Sequence, residues 1–186
     1  MRRRAICTVL LAGIMAWILV IVPAHILYAA TAKEIDISVD VALEKFSKNV
    51  KGAEEIIKTA KGILVIPRVA QAGVIAGGEY GEGALRIGGK TVDYYSIAAA
   101  TFGLQLGVQE KDIIIAFMDE EALKKFRSSD GWQAGINGTV AAVDQGTEGS
   151  IDTTKTNQPI IGFVVGQRGL MVGANIEGAK FSKLKR

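Results

Sequence analysis

Beyond residue 32 the sequence contains neither cysteine nor histidine, for its single copies, Cys7 and His25, both precede that point. Their absence excludes a Ser-His-Asp or Cys-His nucleophile, a Cys/His zinc site, a structural disulfide and an imidazole pH switch. Proline is scarce too, at Pro67 and Pro159 only after Pro23, whereas 21 of the 22 glycines lie after residue 32. Rich in Gly, Val and Ile and poor in Pro, this region reads as bulged, tightly turned β-structure rather than disorder. Charge of one sign is missing as well. The net charge of +3 comes from Arg2, Arg3 and Arg4, and the remaining 19 bases meet 19 acids. The pI near 9.0 therefore gives no support to a nucleic-acid-binding domain.

Residues 1–32 carry three arginines, no acid, an unbroken apolar run from Ala5 to Val22, and Ala30-Thr31-Ala32. Together these predict a secretory signal with a small-x-small cleavage site after Ala32. The run, 18 residues long and without charge, is at the low end for spanning a bilayer, so an uncleaved inner-membrane anchor is the alternative. Pro23 ends the run and favours cleavage. Cys7 stands at the start of the apolar core, where it cannot serve as a lipoprotein cysteine. The expectation is export to the periplasm or cell envelope, with residues 33–186 forming one domain. That length buries roughly 70% of the unfolded surface in a single core.

Within the domain, Val39, Leu43, Phe46 and Val50 form a helical stripe. Ala53, Ile56, Ile57 and Ala60 repeat the spacing up to Gly62, and Ile63 to Pro67 reads as a short buried strand. The period then becomes two, in Phe102 to Val108 and in Trp132, Ala134, Ile136, Gly138 and Val140. Ile113 to Met118 is a continuous apolar run, followed by Asp119 as N-cap of a short helix, Glu120 to Phe126. Gly88-Gly89 and Gly166 to Gly169 mark hairpins, and residues 144–158 a loop. The fold class expected is α+β: two N-terminal helices packed on a Gly-rich, mainly antiparallel β core with a small inserted helix.

Few motifs point to chemistry. Gly89-Lys90-Thr91 imitates a phosphate loop, but Ala84 stands where the first glycine is required and β-formers follow. A hairpin turn is the better reading. Glu79 and Glu82, in Gly77 to Gly83, would be the acid and base of a carboxylate-dependent hydrolase, the least favoured function. Asp144, Glu148 and Asp152 match no calcium loop, and a solvated loop explains them better. Charge segregation carries more weight. Lys45, Lys48 and Lys51 precede Glu54, and Lys180, Lys183, Lys185 and Arg186 follow the last acid, Glu177. Two basic clusters on one face would hold a domain at anionic headgroups, each base contributing on the order of 1 kcal/mol.

The blocks Ala60 to Pro67, Ala72-Gly73 through Gly77 to Gly83, and Tyr94-Tyr95-Ser96 through Phe102 to Gln105 resemble the SYLF family. Ser129 to Trp132, Gly169-Leu170-Met171 and Ile176 to Lys180 are similar to its later blocks, so the resemblance runs from about Phe46 to Leu184. It implies one compact domain without catalysis or cofactor. It also implies phosphoinositide or anionic-lipid binding, as in eukaryotic relatives, through a basic surface and an amphipathic N-terminal helix. No SH3 or FYVE module accompanies the domain, and an exported protein would not meet actin. The expectation is therefore a bacterial, exported, non-enzymatic domain that binds anionic lipid headgroups through Lys45, Lys48, Lys51, Lys180, Lys183 and Lys185. An envelope protein binding a protein partner without lipid affinity is the alternative.

Overall fold

The computed structural model describes residues 30–73, 76–102, 109–142, 157–166, 169–170 and 176–186. Helix α1 (Ala32–Asn49) starts about two turns before the apolar stripe, because Thr31 and Glu34 form a reciprocal capping box. The Thr31 hydroxyl accepts from the Glu34 N–H, and the Glu34 carboxylate accepts from the Thr31 N–H at 2.8 Å, satisfying two free donors at the helix start. That backbone bond holds the Glu34 carboxyl below its ordinary pKa. The inner face of α1 buries Ile35, Val39, Ala42 and Phe46. A second helix, α2 (Ala53–Thr59), follows Gly52, whose φ of 93° suits glycine.

The strands β1 (Gly62–Gly73), β2 (Ala76–Ile87), β3 (Lys90–Phe102) and β4 (Gln109–Phe117) come next, and α3 (Glu120–Ser128) follows β4. After it stand β5 (Trp132–Gln133), β6 (Ala141–Ala142), β7 (Ile160–Gly166), β8 (Gly169–Leu170) and β9 (Lys180–Leu184). All belong to one sheet of order β5-β9-β3-β2-β1-β4-β7-β6, with β8 paired to β7. Every pairing is antiparallel except β6 with β7. The expected α+β architecture is the observed one.

Continuous apolar runs fall in β1, β4 and β7 because these strands are covered on both faces. Ile63, Val65, Ile114, Ala116, Ile161 and Phe163 meet α1 and α2. Leu64, Ile66, Ile113, Ile115 and Phe117 point the other way, toward α3. There Phe126 is the hub of an aromatic cluster, its ring centroid 4.8 Å from those of Tyr95 and Phe117 and 5.4 Å from that of Trp132. Asp119 caps α3 as expected, accepting from the Ala122 N–H at 2.9 Å.

Two sequence expectations change. The short strand at Ile63–Pro67 extends to Gly73, crossing a bulge between Ile66 and Val69 where Arg68 takes a φ of 49°. The alternating stretch Trp132 to Val140 is not one strand. Only Trp132 and Gln133 pair with β9, and the chain then turns at Gly135 (φ 83°), leaving Ile136 73% exposed. The turn wins because the Gln133 carbonyl accepts from the N–H groups of Ile136 and Asn137 while the Asn137 side chain accepts from the Gln133 N–H. The Gly88-Gly89 hairpin is as expected, with φ of 56° and 77° in the turn and a strand rather than a helix beginning at Lys90. Antiparallel pairing of β7 with β8 bears out the second hairpin, although 167–168 lie outside the described residues. So do 103–108 and most of the expected loop at 144–158, including Asp144, Glu148 and Asp152.

Tyr95 gives the α3-side core a measurable property. Its side chain is buried, its hydroxyl has no hydrogen-bond partner among the described residues, and burial, reinforced by the nearby Asp93, pushes its pKa up to about 12. In the unfolded chain a tyrosine titrates near 10, so between about pH 10 and 12 the unfolded state releases a proton that the folded state keeps. Stability is whole below pH 10 and falls by up to about 2–3 kcal/mol as pH rises toward 12. Urea unfolding across that range should show the decline, and Tyr95→Phe should flatten it.

Candidate functional site

The expected basic surface requires six lysines to converge, and the structure separates them. Lys45 donates to Asp112 Oδ2 at 2.9 Å. Asp112, buried in β4, also accepts from the Arg68 N–H at 2.9 Å, so Lys45 completes a structural cluster that supports the β1 bulge. Lys48 pairs with Glu44 one turn away, and its ammonium holds that carboxyl below its ordinary pKa. Lys51 lies beyond the end of α1 at Asn49, so it does not continue the helix face. Lys180, Lys183 and Lys185 stand at or after β9 on the far side of β3. Lys183 shares a face with buried Phe181 and pairs with Asp93 at 2.6 Å on the α3 side. The tail returns toward the N-terminal end of α1, where Arg186 binds Glu82 at 2.8 Å. Lys48 and Lys51 are at the other end of a helix about 27 Å long. No single face carries all six.

Glu79 and Glu82 are also parted. Successive residues of a strand face opposite sides, and these two differ by three positions. Glu79 pairs with Lys111 at 2.7 Å. Glu82 accepts from Tyr80 Oη at 2.8 Å and from Arg186, on the face that carries α1. Two carboxylates on opposite sides of a sheet cannot share a substrate, which removes the geometric basis of the hydrolase reading. The glycines around them have a packing reason instead: a Cβ on Gly83 would lie 1.9 Å from the Val65 carbonyl oxygen, and one on Gly81 2.9 Å from Ile66 and Val69 side-chain carbons.

The surface that stands out is the outer face of α1. Ile37 and Val41, one turn apart, are 55% and 59% exposed, with Lys33, Glu44 and Lys48 in the same row. The helix is fastened along both flanks. On one, Asp36 accepts from Thr91 Oγ1 at 2.6 Å and from Tyr94 Oη at 3.0 Å, and Asp40 accepts from Arg86 Nη2 at 2.8 Å. Burial, with help from the Asp36 carboxylate, raises the Tyr94 pKa. On the other flank, Arg68 Nη2 donates to Ser38 Oγ at 3.0 Å and Lys45 binds Asp112. A helix held on both sides cannot roll to bury Ile37 and Val41. Between Val41, Lys45, Pro67 and Arg68 a shallow hollow of about 280 Å³ extends the apolar patch toward the β1 bulge. Among the described residues no helix is long and apolar enough to cross a membrane, and no cluster of acidic residues is placed to hold a metal ion.

Sequence periodicity along α1 gave its buried stripe, whereas the flank contacts, which fix the outward row, join residues 30 to 67 positions apart. A sharper signal was available: Ile37 and Val41 repeat at the same four-residue interval as Val39 and Leu43, but offset by two, giving α1 apolar residues on two faces. The Ysc84 family model, described as Las17-binding protein actin regulator, matches residues 98–186. The match bears out the SYLF resemblance over residues 98–186 and lies outside the earlier blocks at 60–83 and at Tyr94 to Ser96. A comparison with curated proteins finds no match.

Proposed function

We propose, from the match of residues 98–186 to the Ysc84 family model, that this domain attaches to anionic membrane surfaces through the outer face of α1. The observation that carries the reading is the fixed exposure of Ile37 and Val41. An apolar pair held outward on a helix, with lysines in line, suits the headgroup boundary, where aliphatic side chains enter and ammonium groups meet lipid phosphates. Lys33, Lys48 and Lys51 supply the attraction in this reading, and Lys45 contributes through the fold. The matched family is described by protein binding and actin regulation, so a protein partner seated on the same apolar face is the second reading. Vesicle co-sedimentation distinguishes them. Binding to phosphatidylglycerol vesicles that is lost in Ile37→Asp/Val41→Asp supports membrane attachment, and no binding by the wild type favours the protein partner.

Export completes the proposal. A cut after Ala32 would remove the Thr31 cap, at a cost of about 1 kcal/mol to α1. Mass spectrometry of the protein from its host measures the N-terminus. A start near residues 30–33 or a membrane-bound chain retaining Met1 supports envelope localisation, and a soluble cytoplasmic chain with Met1 overturns it.

A further inference from the structure

On the face of the sheet opposite α1, a groove of about 660 Å³ lies between α3, the start of β1 and the end of β2. Its volume is within the range of about 300–1,000 Å³ common for small-molecule sites. Ile87 and Leu123, both joined to the α3-side core, give it an apolar floor. Its rim is basic. Lys61 precedes β1, Lys124 and Arg127 come from α3, and Lys183 comes from β9. These four residues span most of the domain sequence: Lys61 lies in the Ala60 to Pro67 block and Lys183 in the C-terminal basic cluster, and no single motif joins all four.

The local charge is unbalanced although the domain as a whole is neutral. Arg127 and Lys183 converge on the single carboxylate of Asp93, at 2.9 and 2.6 Å. Lys61 and Lys124 are exposed and form no ion pair among the described residues. Glu120 is the one acid among the described residues that line the groove. Four cations against two carboxylates leave a surplus of two positive charges beside a mostly apolar surface. Such a surface favours an oxyanion at its rim, and the apolar floor rewards one that carries hydrocarbon.

We propose that this groove binds an anionic amphiphile, with a carboxylate or phosphate head against Lys61 and Lys124 and an alkyl chain over Ile87 and Leu123. The site does not rest on the membrane reading of α1, which uses the other face of the sheet. Calorimetric titration of the purified protein with dodecyl phosphate below its micelle-forming concentration tests it. Dodecanoate, inorganic phosphate and dodecanol serve as separate arms.

The expected result is saturable one-site binding of dodecyl phosphate or dodecanoate, at least tenfold tighter than inorganic phosphate or dodecanol. Lys61→Glu/Lys124→Glu should weaken it at least tenfold with an unchanged circular dichroism spectrum, because both side chains are exposed and unpaired. Lys124→Gln, the milder change, should weaken it about threefold. Ile37→Asp/Val41→Asp should leave it intact. No saturable binding, undiminished binding by the charge-reversed variant, inorganic phosphate or dodecanol binding as tightly as the amphiphile, or loss of binding on altering α1 would each overturn the assignment.

Discussion

Gly83→Ala should prevent the domain from folding. A Cβ at residue 83 would sit 1.9 Å from the Val65 carbonyl oxygen and 2.7 Å from the Ile66 Cα, and both obstacles are backbone atoms of the central strand. No rotamer change relieves such a collision, so β1 and β2 must separate where the β1 bulge passes over β2. The displacement would also strain the bulge, whose Arg68 is held at a φ of 49° by the bond from its N–H to Asp112. The expected cost exceeds about 4 kcal/mol, a large share of the 5–15 kcal/mol that typically holds a domain together. The variant should be insoluble or melt more than about 10 °C below the wild type. Gly78→Ala, on the same strand, is the control. Among the described residues beyond its chain neighbours, its Cβ would come no nearer than 3.7 Å to another atom, and it should change stability by less than about 1 kcal/mol. Equal behaviour of the two variants in thermal melts followed by circular dichroism would refute the close-approach account.

The double substitution Ile37→Asp/Val41→Asp should abolish vesicle binding while leaving the fold intact. Each side chain is more than half exposed, so neither substitution removes much core. Each withdraws about 1–2 kcal/mol of apolar insertion and places a carboxylate at an anionic surface, at about 1 kcal/mol apiece. The sum, about 4–6 kcal/mol, is roughly a thousandfold or more in affinity. Neutralising Lys45, Lys48 and Lys51 together is a weaker intervention. Only Lys48 and Lys51 are available to lipid, so the loss should stay within about 2 kcal/mol, and Lys45→Gln alone should lower stability by loosening Asp112 rather than binding. Co-sedimentation at two salt concentrations reads both effects, because the charge contribution shrinks with the Debye length and the apolar contribution does not. If the lysine triple variant lost more binding than the apolar double variant, the helix-insertion account would be wrong.

The sequence by itself determined the features that depend on neighbours along the chain. The Val39, Leu43, Phe46 stripe gave α1, Asp119 gave the start of α3, and Gly88-Gly89 gave its hairpin, since caps, turns and periodic faces are local. The apolar run at Ile63 to Pro67 marked the start of β1 as a buried strand, and that at Ile113 to Met118 falls in β4, because both faces of these strands are covered. Tertiary structure alone decided what each charge does. Lys45 and Lys48 look alike in sequence, three residues apart, yet one meets Asp112 of β4 and the other faces solvent beside Glu44. The alternation that placed Glu79 and Glu82 on opposite faces required knowing that no bulge in β2 intervenes. The basic groove draws on Lys61, Lys124, Arg127 and Lys183, which only the sheet order and the seat of α3 bring together. An ion pair is a through-space relation between side chains that many backbone arrangements could bring together or hold apart, so it becomes legible only when the fold has chosen one.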